Sequence, residues 1–390
     1  MRKIILACCI GLLASCSCDD DKDSYERTIL VYIAGDNNLF VQVAGDIEEM
    51  MEGSRSMKGN QRLIAFVDSK AEQPYILHIM HGDTLRVRTF KREMKSSDAG
   101  LLKEVMQWTM KKYPSKSYGL VLWGHADGWI LKNDPVAESK APRRAYGMDD
   151  GDGFRTWMDV TEMANALYGT VDLDFIFADC CAFQSVETAY ELRKVTKYII
   201  ASPAEIPSEG APYSTLVPAL FDQSSTFYER IVDAYFEQTT SDGMKEPLSV
   251  IETAQMDNLA SVTKEVLKSF VPQLPDSHYP NVSGLIYYFK RSLFDMNDFF
   301  MHYASDEAYT YWKQAFDKAV VYKTYTSRWR ANYVYFSDFF ITEQRYGGVN
   351  MYVPQDENYV RSYRDDVALQ NNNIHRMQWY HAAGLDELGW

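Results

Sequence analysis

Two residues stand out for the chemistry their types could do together. Cys181 follows the apolar run Leu173-Asp174-Phe175-Ile176-Phe177-Ala178-Asp179-Cys180, and His125 follows Gly119-Leu120-Val121-Leu122-Trp123-Gly124. Each run reads as a buried strand, so both residues fall where a strand gives way to a turn. A thiol beside an imidazole can perform acyl transfer, because a thiolate is a strong nucleophile and histidine can move its proton. The helix pattern Val186 to Lys194 follows the cysteine directly, and a helix N-terminus would favour the thiolate.

The elements that must position this pair are legible as an α/β alternation. Strand-like runs cover Thr28 to Ala34, Arg62 to Val67, Gly119 to Trp123, Leu173 to Ala178 and Tyr198 to Ser202, and Leu101 to Lys112 reads as a helix between two of them. That rhythm predicts a mostly parallel sheet with helices on both faces, and such sheets carry their sites at the carboxyl edge. Tyr75 to Met80 and Leu85 to Phe90 flank His81-Gly82-Asp83-Thr84 as a hairpin would. Lys132 to Gly153 is rich in Pro, Gly and charge and reads as a long exposed loop. Past about residue 245 the alternation weakens into aromatic helices at Ser292 to Tyr303 and Asp306 to Tyr322, then a last strand at Gly348 to Pro354. The expected organisation is a leader (1–15), a tether (16–26), an α/β domain (27–240) and a helical or mixed C-terminal subdomain (241–390).

The N-terminus bounds the compartment. Arg2 and Lys3 precede the apolar run Ile4 to Leu13, too short to span a bilayer. It ends in Leu13-Ala14-Ser15-Cys16, which resembles a bacterial lipobox with Cys16 as the acylated residue; ordinary secretion with a cut after Ala14 or Ser15 is the alternative. The acidic stretch Cys18-Asp19-Asp20-Asp21-Lys22-Asp23 reads as a leash, and the expected location is the bacterial outer membrane, facing the periplasm or the cell surface. A net charge of −14 excludes nucleic acid as the partner, since phosphates require basic patches. Of the six cysteines, Cys8 and Cys9 leave with the leader and Cys16 carries the lipid, so Cys18 and the adjacent pair Cys180-Cys181 remain. Adjacent cysteines rarely bridge. A thiol kept unpaired outside the cytoplasm needs a use, and nucleophilic catalysis is one.

Taken in combination, the motifs resemble the clostripain family of cysteine peptidases, in the caspase-like clan. They comprise Val31-Tyr32-Ile33-Ala34-Gly35-Asp36-Asn37-Asn38-Leu39, Asp46-Ile47-Glu48-Glu49-Met50, Trp123-Gly124-His125, Asp179-Cys180-Cys181-Ala182-Phe183, Ser185 to Leu192, Ala201-Ser202-Pro203-Ala204-Glu205 and Gly210-Ala211-Pro212-Tyr213. The resemblance implies a caspase-like αβα sandwich and a cysteine endopeptidase with a His125/Cys181 dyad. The offset to the Ser185-to-Leu192 segment places Cys181 rather than Cys180 at the nucleophile. The family's oxyanion hole falls on the backbone of Ala126 and Cys181; family members carry Gly where Ala126 stands, which matters only if that position needs positive φ. Asp179 matches an acidic residue of the S1 pocket, implying polypeptide substrates with Arg or Lys at P1. Family members often mature by cutting the loop after the histidine, which here offers Lys132, Lys140, Arg143 and Arg144. A monomer, intact or as a cleaved two-chain form, is the expected state.

Two further readings are weighed against this one. A caspase-like surface lipoprotein that binds peptides or glycans without turnover is favoured by Ala126 and disfavoured by the retention of His125 and Cys181. A serine α/β hydrolase fails for want of a G-x-S-x-G elbow. No metal is required: His78 and His81 would face opposite sides of a strand, no HExxH is present, and Asp149-Asp150-Gly151-Asp152-Gly153 does not fit an EF-hand loop. Some family members respond to calcium, so calcium stays open as a cofactor.

Overall fold

The computed structural model describes residues 25–131, 146–151, 153, 155–238, 245–274, 279–288, 293–331, 334–336, 341–356 and 364–390. The leader, Cys16 and the candidate cut sites Lys132, Lys140, Arg143 and Arg144 lie outside the described residues.

Period-two burial on both faces builds the centre of the molecule. In β1 (Arg27–Gly35), Leu30, Tyr32 and Ala34 enter one apolar cluster while Ile29, Val31 and Ile33 enter the other. A strand buried on both faces must be flanked by strands and covered by helices twice over. Its companions are β2 (Gln61–Ser69), β3 (Glu72–Met80), β4 (Asp83–Thr89), β5 (Tyr118–Trp123), β6 (Leu173–Asp179), β7 (Thr196–Ala201), β8 (Ser249–Glu252) and β9 (Val320–Lys323). They form one sheet in the order β9-β8-β7-β6-β5-β1-β2-β3-β4. The run from β2 through β1, β5 and β6 to β7 is parallel, and the flanks on either side are antiparallel.

Helices α1 (Val43–Gly53), α2 (Ala99–Lys112), α3 (Val160–Leu167), α4 (Val186–Leu192), α5 (Tyr213–Leu220) and α6 (Phe227–Phe236) cover the sheet. The apolar side chains of α2, α3 and α4 join the cluster of Leu30, whereas those of α1, α5 and α6 join the cluster of Ile29. The result is the expected αβα sandwich. Register matters more than usual here, because a one-residue slip of β5 or β6 would exchange the two buried faces and carry His125 or Cys181 to the wrong side.

The chain past residue 244 returns to the same sheet as β8 and β9. Two expected helices are shorter than their aromatic patterns suggested: they run Met296–Tyr303 and Asp306–Ala319. Leu293–Asp295 is instead a strand paired with Asn350–Tyr352, and the β-branched start of Val320–Lys323 makes the sheet's edge. Among the described residues no helix is long and apolar enough to cross a membrane.

Candidate active site

β5 and β6 lie side by side and parallel, with Trp123 opposite Asp179. Neighbouring strands are about 4.8 Å apart, so His125 and Cys181, each two residues further on, leave the same sheet edge at the same level. The Gly124 N–H donates to the Asp179 carbonyl at 3.3 Å, which ties the two exits together.

An asparagine orients the imidazole. Nε2 of His125 lies 2.9 Å from Oδ1 of Asn38; with that oxygen accepting, Nε2 carries the proton and Nδ1 is the basic nitrogen. Asn37 shapes the turn beneath: its Nδ2 donates to the carbonyls of Ala34 and Met148, both at 2.8 Å, and its Oδ1 accepts from Leu39 N at 2.8 Å. The sequence offered both asparagines as motif members without roles. The partner of His125 is 87 positions away, a separation no local pattern reports.

Cys181 is half-buried, its Sγ 3.9 Å from the Ile206 carbonyl. The expected help from a helix N-terminus is not realised. The turn 180–185 intervenes, α4 begins only at Val186, and its Thr188 N–H is already taken by Ser185 Oγ at 3.1 Å. Burial pushes the Cys181 thiol up to about 12; the Ile206 backbone offsets part of this, and the charges of Glu205, Asp127 and Glu246 add to it. Cys181 therefore rests as a neutral thiol at pH 7, and any attack by it would require a base rather than a preformed ion pair. Cys180 is fully buried in the core, and burial raises its thiol well above the ordinary value.

The turn that follows is strained and clamped. Ala182 sits at φ 53°, a left-handed conformation that costs an L-residue on the order of 1 kcal/mol. Its N–H donates to the Ala204 carbonyl at 2.7 Å, and Gln184 N–H donates to Ser202 at 3.1 Å. Asn350 Nδ2 donates to the Pro203 carbonyl at 3.1 Å and Gln184 Nε2 to the Ser249 carbonyl at 2.8 Å, so segments distant in the chain hold the turn. Only glycine fits at position 128, where φ is +67° and a Cβ would come within 2.6 Å of the Ala182 carbonyl oxygen. Ala126 is not strained: the non-glycine residues with positive φ are His81 and Ala182 among the described residues. An alanine in place of the family's glycine therefore leaves this backbone undisturbed.

Asp179 is buried at the root of the site. Its Oδ2 accepts from Ala211 N at 3.1 Å and from the Tyr213 hydroxyl at 2.8 Å, while its Oδ1 has no hydrogen-bond partner. Burial raises it to about 6, with Glu49 adding and the two donors opposing. Behind it, buried Asp46 on α1 accepts from Trp123 Nε1 at 2.6 Å and anchors the indole just before His125. Burial, then the charge of Asp179, pushes Asp46 up to about 8.

Asp46 makes a testable mark on stability. The folded protein holds this proton more tightly than the unfolded chain, so stability falls as pH rises from about 4, the unfolded value, toward about 8. An asparagine side chain in its place would keep an acceptor for Trp123 and not titrate. Asp46→Asn is thus expected to gain roughly 2 kcal/mol over wild type in urea unfolding at pH 8 and nothing at pH 4; a difference independent of pH would refute the buried proton.

With this geometry in place, comparison with known proteins gives a consistent answer. The model of the clostripain family matches residues 31–388. Clostripain of Hathewaya histolytica is 25% identical over 193 residues, a stretch covering 43% of this chain and only 36% of that protein. A secreted C11 cysteine protease from Bacteroides thetaiotaomicron, solved with an irreversible peptide inhibitor, superposes with a TM-score of 0.77 at 28% identity, covering 93% of this chain and 99% of its own. An inactive zymogen C11 protease from Parabacteroides distasonis superposes with a TM-score of 0.73 at 25% identity, covering 92% of this chain and 98% of its own.

Proposed function

The chain belongs to the clostripain family, and from that premise we propose that it is a cysteine endopeptidase, exported and lipid-anchored through Cys16, that cuts polypeptides after Arg or Lys. The observation that carries the reading is the Trp123–Asp179 register, which delivers His125 and Cys181 to one level of one sheet edge.

The mechanism follows from the state of the thiol. As Sγ of Cys181 attacks the scissile carbonyl, its proton passes to Nδ1 of His125, the nitrogen left basic by the Asn38 contact. The backbone N–H groups of Ala126 and Cys181 receive the oxyanion. His125 then protonates the leaving amine, and a water activated by the same imidazole hydrolyses the thioester. Asp179 receives the P1 cation on its unpartnered Oδ1.

Export and activation rest on coarser support. The Bacteroides thetaiotaomicron relative is secreted, and the Leu13-Ala14-Ser15-Cys16 pattern supports a lipid anchor in the outer membrane. The Parabacteroides distasonis relative is an inactive zymogen. This supports an activating cut by the enzyme itself at Lys132, Lys140, Arg143 or Arg144, leaving two associated fragments.

An arginyl chloromethylketone separates this reading from a binding protein of the same fold. The expected result is a stoichiometric adduct on the Cys181 peptide by mass spectrometry, absent after competition with an Arg peptide. Intact, folded protein that gains no adduct would overturn the enzymatic reading.

A further inference from the structure

Of the large apolar side chains that solvent reaches, two stand beside the dyad. Phe40 and Val41 are 42% and 62% exposed, and among the six such side chains within the described residues they are the only two adjacent in sequence. Isolated apolar residues on a surface are ordinary, whereas a contiguous apolar surface next to a reactive centre marks a contact. Both belong to the 3₁₀ turn Asn38–Val41, in which no residue is buried.

The turn is held from below and presents its upper side to solvent. Asn37 caps it, its Oδ1 accepting from Leu39 N at 2.8 Å, and Leu39 packs against the cluster of Ile29. In a 3₁₀ turn, side chains three positions apart eclipse one another. Val41 therefore stands on the face of Asn38, whose Oδ1 meets His125 Nε2 at 2.9 Å. The shelf continues into the first turn of α1, where Ala44 and Gly45 are exposed and a Cβ at Gly45 would find nothing within 4 Å. On another flank of the imidazole lies Trp157, its ring centroid 6.4 Å away; it is buried and offers no surface there.

The chemistry fixes what must pass this shelf, on the peptidase reading from which the inference proceeds. Nδ1 of His125 takes the proton of Cys181 and gives it to the leaving amine, while Nε2 is turned to Asn38. The acyl half of the substrate stays on Cys181, with its P1 side chain toward Asp179, and the leaving half departs past the imidazole. Beyond the imidazole lies the Asn38 turn. We propose that Phe40 and Val41 form an apolar subsite for the leaving half of the substrate, taking an aliphatic or aromatic side chain at P1′ or P2′, the first two residues after the cut. None of Asn38, Phe40, Val41, Ala44 and Gly45 carries a charge, so this surface selects by apolar contact although the chain as a whole is acidic. A turn already fixed by Asn37 and Leu39 has little order left to lose when it binds.

Internally quenched peptides with Arg at P1, identical except for Leu or Ser at P1′ or at P2′, test the subsite. An arginyl aminomethylcoumarin amide, which has no residue after the cut, reports the peptidase by itself. At one of the two positions the protein should favour Leu over Ser about tenfold in kcat/KM, the low end of what an apolar contact gives, because the shelf is open on one side. Phe40→Ser combined with Val41→Ser should bring that ratio below about threefold. The urea midpoint should hold, since both side chains are exposed, and Val41→Leu alone should keep the preference. A ratio near one at both positions, or a ratio that the double variant leaves intact, would overturn the subsite while turnover of the coumarin amide upheld the peptidase. No turnover of the coumarin amide would overturn both.

Discussion

Replacing Cys181 by alanine is expected to lower kcat/KM for peptide substrates by at least about 10³-fold, and replacing Cys180 by less than about tenfold. The asymmetry follows from position. Cys181 is half-buried, two residues past Asp179, as His125 is past Trp123 on the neighbouring strand. Cys180 is fully buried among apolar side chains. Truncating it removes one small buried group and costs on the order of 1 kcal/mol of stability, seen in a denaturation midpoint rather than in turnover. The same pair of variants reads activation, because cleavage between Lys132 and Arg144 should stop in Cys181→Ala and continue in Cys180→Ala. Turnover lost only in Cys180→Ala would reverse the assignment, and a cut persisting in Cys181→Ala would assign it to another protease.

Much of this site could be read before any coordinates, for a physical reason. A buried parallel strand has a strong apolar signature, and its end is the point where a functional side chain is delivered; Trp123 and Ala178 mark those ends within a residue. Depth along the sheet follows from the strand ends alone. What surrounds the dyad comes from distant segments and left no local trace. Asn38 reaches His125 from the end of β1, Asn350 clamps the Ala182 turn from near the C-terminus, and Glu205, Asp127 and Glu246 converge on the thiol from three separate stretches.

The thiolate expected from a helix N-terminus fails for a related reason. It requires strand and helix to abut, whereas the turn 180–185 separates them and forces Ala182 to positive φ. Conversely, Ala126 adopts no positive φ, so the alanine there does not strain the backbone.

Replacing Asp179 should change selectivity rather than activity as a whole. Asp179→Ala is expected to depress cleavage after Arg and Lys by about 10² to 10³-fold, the worth of one buried charge-assisted pair. Cleavage after neutral P1 residues should stay within about tenfold. Because Oδ2 also anchors Ala211 and Tyr213, alanine releases those donors as well; Asp179→Asn keeps an acceptor for them and removes only the charge. The pH profile then isolates the charge. Burial lifts Asp179 to about 6, and a carboxyl group is neutral below its pKa. Wild-type preference for Arg over a neutral P1 residue should therefore be full above pH 7 and fall as pH drops through about 6, approaching tenfold per unit below that. The ratio in Asp179→Asn should be low and flat across the same range. Because it is taken within one enzyme, titration of Cys181 and His125 cancels from it, so an equal loss on every P1 residue, or a pH-dependent ratio in Asp179→Asn, would remove Asp179 from the pocket.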